Sequence, residues 1–163
     1  MTTELEKQEE QLSILANKAE CGLIKIAYNS EMTLLYANPY FYTLHGYTQE
    51  EYTKLFGTNA LARIHPDDAQ RFKASVARQL NMGTALRFEY RIIKKDGTIS
   101  WLLIKGQMTA TEQRIAYLCS CIDITSMKVS YQDLAKSKQE LDVISNSVPG
   151  GVAKILSLIH ISE

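Results

Sequence analysis

"LRFEYRIIKKDGTISWLLIKGQMTA", residues 86–110, decides the fold. In its first half Leu86, Phe88, Tyr90 and Ile92 alternate with Arg87, Glu89 and Arg91. A period of two marks a strand with one face toward a core and one toward water. "KKDG" then carries the Asp-Gly signal of a hairpin turn. The chain resumes as a long strand, with Leu102, Ile104, Gly106 and Met108 on one face and Trp101, Leu103, Lys105 and Gln107 on the other. "TEQ" turns it again, and "RIAYLCSCIDIT" reads as a third strand. Tight turns between three strands predict an antiparallel meander. Trp101 and Leu103 fall on the face that would meet solvent, so flanking helices are expected to cover them.

Upstream, "CGLIKIAYN" and "MTLLYAN" read as two more strands joined by "NSE". Short helices fill the space between the two strand groups. Asn38 is a good N-cap, Pro39 suits the first helical position and Gly46 ends that helix. Thr48 followed by Glu51 forms a capping-box pattern, closed by Gly57. Pro66 opens a third helix with Asp67 and Asp68 in its first turn, where the helix dipole favours negative charge. Its apolar stripe is Phe72, Val76 and Leu80, and Gly83 ends it. The order ββ, short helices, βββ predicts an α+β domain with helices grouped on one side of the sheet.

Both ends read as amphipathic helix. Residues 3–20 pair Thr3 with Glu6 as a capping box and carry a thin stripe of Leu5, Leu12, Leu15, Ala16 and Ala19. So narrow a stripe needs a partner, either this domain or another copy of the chain. After Ser126, Met127, Leu134, Leu141 and Val148 repeat every seven residues, widened by Tyr131 and Ile144. This is a short heptad seam, equally compatible with a helix lying on its own sheet. Thr125 or Ser126 is the expected N-cap. "LSLIHISE" at the end has no usable periodicity and reads as a non-native tail.

The chain has 163 residues, 45% hydrophobic and 22% charged, which is ordinary globular composition. Lys+Arg and Asp+Glu are both 18, which argues against a nucleic-acid surface. No apolar run reaches the ~20 residues that span a bilayer, and the acidic, polar start is no secretory signal. A cytoplasmic location is expected. Cys21, Cys119 and Cys121 lack metal or disulfide spacing and read as small buried residues, with a redox role the minor alternative. His45 and His65 read as structural or surface residues before metal ligands. No catalytic triad or phosphate-binding glycine loop is present, so no catalytic or metal site is assigned.

Four segments in order, "LLYANPYFYTLHGYTQEEY", "IHPDD", "FEYRIIKKDGTISWL" and "CIDIT", resemble the PAS sensory domain with its C-terminal PAC region, over about residues 20–127. The resemblance implies a five-stranded antiparallel sheet in the order 2-1-5-4-3, with helices cupping one face. It divides the chain into an N-terminal helix (1–20), the PAS/PAC domain (21–127), a signalling helix (128–148), and the start of a second PAS domain (149–163). It also implies a sensor rather than an enzyme. Such a module binds a small ligand or dimerises, and relays to an output domain, commonly a histidine kinase or a diguanylate cyclase. The alternative is a ligand-free dimerisation spacer.

Strand and helix parity then nominate a ligand cup of Ile26, Tyr36, Phe41, Leu44, Phe72, Val76, Phe88, Tyr90, Ile104, Tyr117, Cys119 and Cys121. Asp123 and Thr125 match the family's D-x-T junction to the exit helix. Trp101, Leu103, Leu134 and Leu141 are the expected dimer or helix contacts, within a homodimer. "FGTNALARIHPDD" holds no cysteine where flavin photosensors of the family carry one, and "AQRFKASVARQLNMG" no histidine where haem sensors carry theirs. Both departures argue against flavin and haem, and the cofactor is left unassigned.

Overall fold

The computed structural model describes residues 3–110 and 114–147. Helix α1 (Glu4–Lys18) leads into strands β1 (Gly22–Ala27) and β2 (Thr33–Ala37). Helices α2 (Pro39–His45), α3 (Gln49–Phe56) and α4 (Pro66–Met82) follow. Strands β3 (Leu86–Ile93), β4 (Ile99–Ala110) and β5 (Ile115–Asp123) then run into α5 (Thr125–Ser147). The sheet is antiparallel in the order β2-β1-β5-β4-β3, as the resemblance implied. The chain through Thr125 forms one compact unit, and α5 from Ser126 onward belongs to a second. The expected "TEQ" turn and the expected second-domain start at 149–163 lie outside the described residues.

The helix boundaries follow from local chemistry. Thr3 and Thr48 each make the reciprocal capping box with Glu6 and Glu51. Asn38 caps α2 and also reaches back to the sheet: its Oδ1 accepts from Leu23 N at 2.8 Å, and its Nδ2 donates to Cys21 O at 3.0 Å. Gly46 ends α2 at φ 83°, a left-handed conformation that costs glycine little. Asp68, however, does more than answer the dipole of α4. It is fully buried and bonded to β3.

Helix α5 begins at Thr125, so this residue is the first helical position and not its cap. Asp123 Oδ1 instead accepts from Thr125 N at 2.8 Å. The Thr125 hydroxyl turns to the sheet and accepts from Trp101 N at 2.9 Å.

Helix α2 packs on β1 and α4 on β3, with α3 against α2, so the core lies between these helices and one face of the sheet. Ile24, Ile26, Phe41, Phe72, Val76, Leu86, Ile92, Leu102, Ile104 and Tyr117 are buried there. At the crossing of β4 and β5, Gly106 faces Cys119. A Cβ at position 106 would stand 2.4 Å from Cys119 Sγ, so only glycine lets the thiol pack across the neighbouring strand.

Candidate functional site

The nominated cup residues Ile26, Phe41, Leu44, Phe72, Val76, Tyr90, Ile104, Tyr117, Cys119 and Cys121 come together in the core, with Phe88 partly buried against it. Phe72 meets Phe88 and Tyr90 edge-on, both at 5.5 Å between ring centroids. Tyr36 is the exception. It is 40% exposed on the outer face of the sheet, where its hydroxyl donates to Ser13 Oγ of α1. A β-bulge explains the error. Ile26 pairs with Leu34 but Lys25 with Tyr36, which leaves Leu35 as an extra residue. One inserted residue reverses the parity of everything after it.

Tyr52, absent from the nominated cup, is fully buried at the centre of an aromatic cluster. Its ring meets Phe41, Tyr42, His45, Tyr47 and Phe56 at 5.0–6.0 Å. Its hydroxyl donates to Asn59 O at 2.9 Å, and burial raises its pKa. The crowding of tyrosines in residues 38–52 was the available signal, answered mainly by core packing. His45 belongs to the same cluster. Its Nδ1 donates to Phe41 O at 2.8 Å, and its ring sits 4.4 Å from that of Phe41. Burial pulls its pKa down to about 4, so it is neutral at pH 7.

The cysteines of β5 are equally inert. Burial pushes the Cys121 thiol up to about 12 and that of Cys119 higher still. Tyr90 Oη lies 3.8 Å from Cys121 Sγ, and burial raises its pKa as well. Tyr117, also fully buried, has the only buried side-chain oxygen or nitrogen without a hydrogen-bond partner among the described residues.

On the outer face, Leu103 is buried within the chain and Trp101 is partly buried, while Leu35, Leu118 and Ile122 are exposed. Along α5, Leu134 and Leu141 are 68% and 67% exposed. His65 is the N-cap of α4: its Nδ1 accepts from Asp67 N at 3.2 Å.

The PAS fold family model matches residues 34–121, more than half of the chain, and the protein belongs to that family. Among solved structures, it is similar to a sensory box histidine kinase/response regulator from Burkholderia thailandensis (23% identity, TM-score 0.66, covering 81% of this chain and 98% of that one). It is also similar to the N-terminal domain of a diguanylate cyclase with PAS/PAC sensor from Marinobacter aquaeolei (19%, TM-score 0.51, covering 66% and 98%). A third is an RNA-binding light-oxygen-voltage receptor (19%, TM-score 0.64, covering 80% and 37%). None of the curated proteins matches the chain. At these identities the likenesses establish the fold. No helix among the described residues is long and apolar enough to cross a membrane.

Proposed function

We propose that this chain is the sensory module of a larger cytoplasmic signalling protein, with no catalysis of its own. It takes a small molecule into the cup and relays the change through α5 to an output domain, a histidine kinase or a diguanylate cyclase. The observation that carries the reading is the Tyr117 hydroxyl, fully buried on the cup side with no hydrogen-bond partner among the described residues. An unsatisfied buried hydroxyl costs about 1–3 kcal/mol, and a ligand that bonds to it recovers that cost. Ile26 stands opposite Tyr117 on β1, and the buried cluster to which both belong is mainly apolar, so the matching ligand is an apolar body with one hydrogen-bonding group. Phe88, the partly exposed member, marks the margin of the cup.

The test is thermal shift with a metabolite library, together with mass spectrometry of the purified protein. Wild type is expected to carry or accept a ligand and to gain Tm. Tyr117→Phe should match or exceed the ligand-free stability of wild type and lose the ligand-induced gain. An unresponsive wild type with nothing bound overturns the ligand reading.

A second reading, a ligand-free dimerisation spacer, has its own support. Leu5, Leu12 and Leu15 of α1 are exposed. A groove between α1 and the outer face of the sheet is lined by Leu5, Leu12, Leu23, Leu35 and Leu118. Acidic Glu4, Glu6, Glu9 and Glu10 on α1 complement Lys25, Arg87 and Lys105 on the strands. A second copy of the chain would satisfy both faces at once.

A further inference from the structure

A chain of contacts joins α4, which walls the cup, to the first residue of α5. It begins at Asp68, whose carboxylate is fully buried one turn before Phe72. Asp68 Oδ2 accepts from Arg91 N at 2.8 Å and from Arg91 Nε at 3.0 Å. Its Oδ1 accepts from a terminal guanidinium nitrogen of Arg91 at 2.8 Å and from one of Arg71 at 2.9 Å. Asp67 adds a longer ion pair with Arg91 at 3.9 Å. The guanidinium is thereby fixed in plane and position.

Its Cζ lies 5.5 Å from the centre of the Trp101 ring, directly across the β3–β4 ladder. The Trp101 backbone in turn holds the root of α5 from both sides. Trp101 N donates to Thr125 Oγ1 at 2.9 Å, and Trp101 O accepts from Ile124 N at 2.9 Å. Every link from Asp68 to Thr125 is thus a hydrogen bond, an ion pair or a ring contact.

We propose that Asp68, Arg91, Trp101 and Thr125 form a coupling relay, through which displacement of α4 by cup contents alters the hold on the start of α5. Asp68 and Arg91 act in it as positioning residues. The inference rests on the reading of α5 as the output element, but the coupling itself is measurable in the ligand-free chain. Two discrete arrangements of one packed network are what such coupling requires.

Trp101 is the single tryptophan of the chain, so its emission reports on the Arg91 contact without a label. Asp68→Asn is expected to shift that emission and to speed amide exchange at Trp101 and Ile124 about tenfold beyond the global loss of stability, a size typical of coupled sites. Leu34→Ala, a truncation of a buried residue on β2 outside the nominated cup, serves as the control and should move exchange only in step with global stability. Coupling is reciprocal, so Thr125→Val should shift the NMR resonance of Arg91 Nε, 

which a merely local role for Thr125 would leave alone. Thr125→Val also keeps the test open if Asp68→Asn does not fold. Unchanged Trp101 emission and exchange in folded Asp68→Asn, or an unmoved Arg91 signal in Thr125→Val, overturns the relay. Neither result touches ligand binding, which the Tyr117 experiment decides.

Discussion

On the cup side of the sheet, Ile24, Ile26, Leu102, Ile104 and Tyr117 are buried beneath short helices. On the outer side of the same strands, Leu35, Leu118 and Ile122 remain exposed. The inner face is held by apolar area and edge-on aromatic contacts. On the outer face Leu103 is buried, and the other described ties are directional: Tyr36 to Ser13, Arg91 over Trp101, Trp101 to Thr125. Apolar packing is non-directional and stores most of the stability, whereas hydrogen bonds fix direction at small net gain. The difference teaches where to look for each property: stability under the short helices, the hold on Thr125 in the bonds that Trp101 makes.

The sharpest way to break this contrast is a pair of truncations. Phe72→Ala on the cup side should cost about 3–5 kcal/mol, as large-to-small changes in a closed core do. Leu118→Ala on the outer face should stay within about 0.5 kcal/mol, as exposed substitutions do. Chemical denaturation measures both. A comparable loss at Leu118 would mean that something covers the outer face in solution, with a second copy the first candidate.

Acid provides the next largest effect. His45 has its ordinary pKa of 6.5 in the unfolded chain and about 4 in the fold, because burial disfavours the charged ring. Above pH 6.5 neither state binds the proton. As pH falls from 6.5 to 4 the unfolded state binds it and the folded state does not, so stability declines by roughly 3 kcal/mol. Asp68 acts in a separate window. Hydrogen bonds from Arg91 hold its carboxyl down at about 2, so its contribution is lost only as pH falls from 3.8 toward 2. Urea titrations at several pH values should therefore show a slope between 6.5 and 4 that His45→Gln flattens. A slope unchanged in that variant would assign the acid sensitivity elsewhere.

The same contrast separates what could be read from the chain from what could not. Helix ends were legible because caps are local: Thr3 with Glu6, Asn38 with Pro39, and Thr48 with Glu51 act within one turn. Strand faces were legible wherever the period of two ran unbroken, as from Leu86 to Ile92. The order of strands came from the family resemblance rather than from periodicity. Parity failed at Tyr36 because the bulge at Leu35 has no signature of its own in "TLLYA". Asp68 looked like a helix-dipole residue, since its partner Arg91 stands 23 positions away and only the fold joins them. Thr125 was similarly misplaced: its hydroxyl serves β4 instead of its own helix.

The smallest expected effect on folding falls on α5, and it bears on association. Leu134 and Leu141 are spaced by seven and exposed along the helix, so neither contributes a buried contact within one chain. Leu134→Asp and Leu141→Asp should leave the unfolding midpoint of the compact unit ending at Thr125 unchanged within about 0.5 kcal/mol. If these leucines form a seam with a second copy, a charge at either position meets its own like in the partner and desolvates without compensation. Sedimentation velocity should then show the dimer shifted toward monomer in both variants. Unchanged sedimentation beside an unchanged midpoint would remove the seam, and any association that then persisted would have to use another surface, with α1 and the outer face of the sheet the first to test.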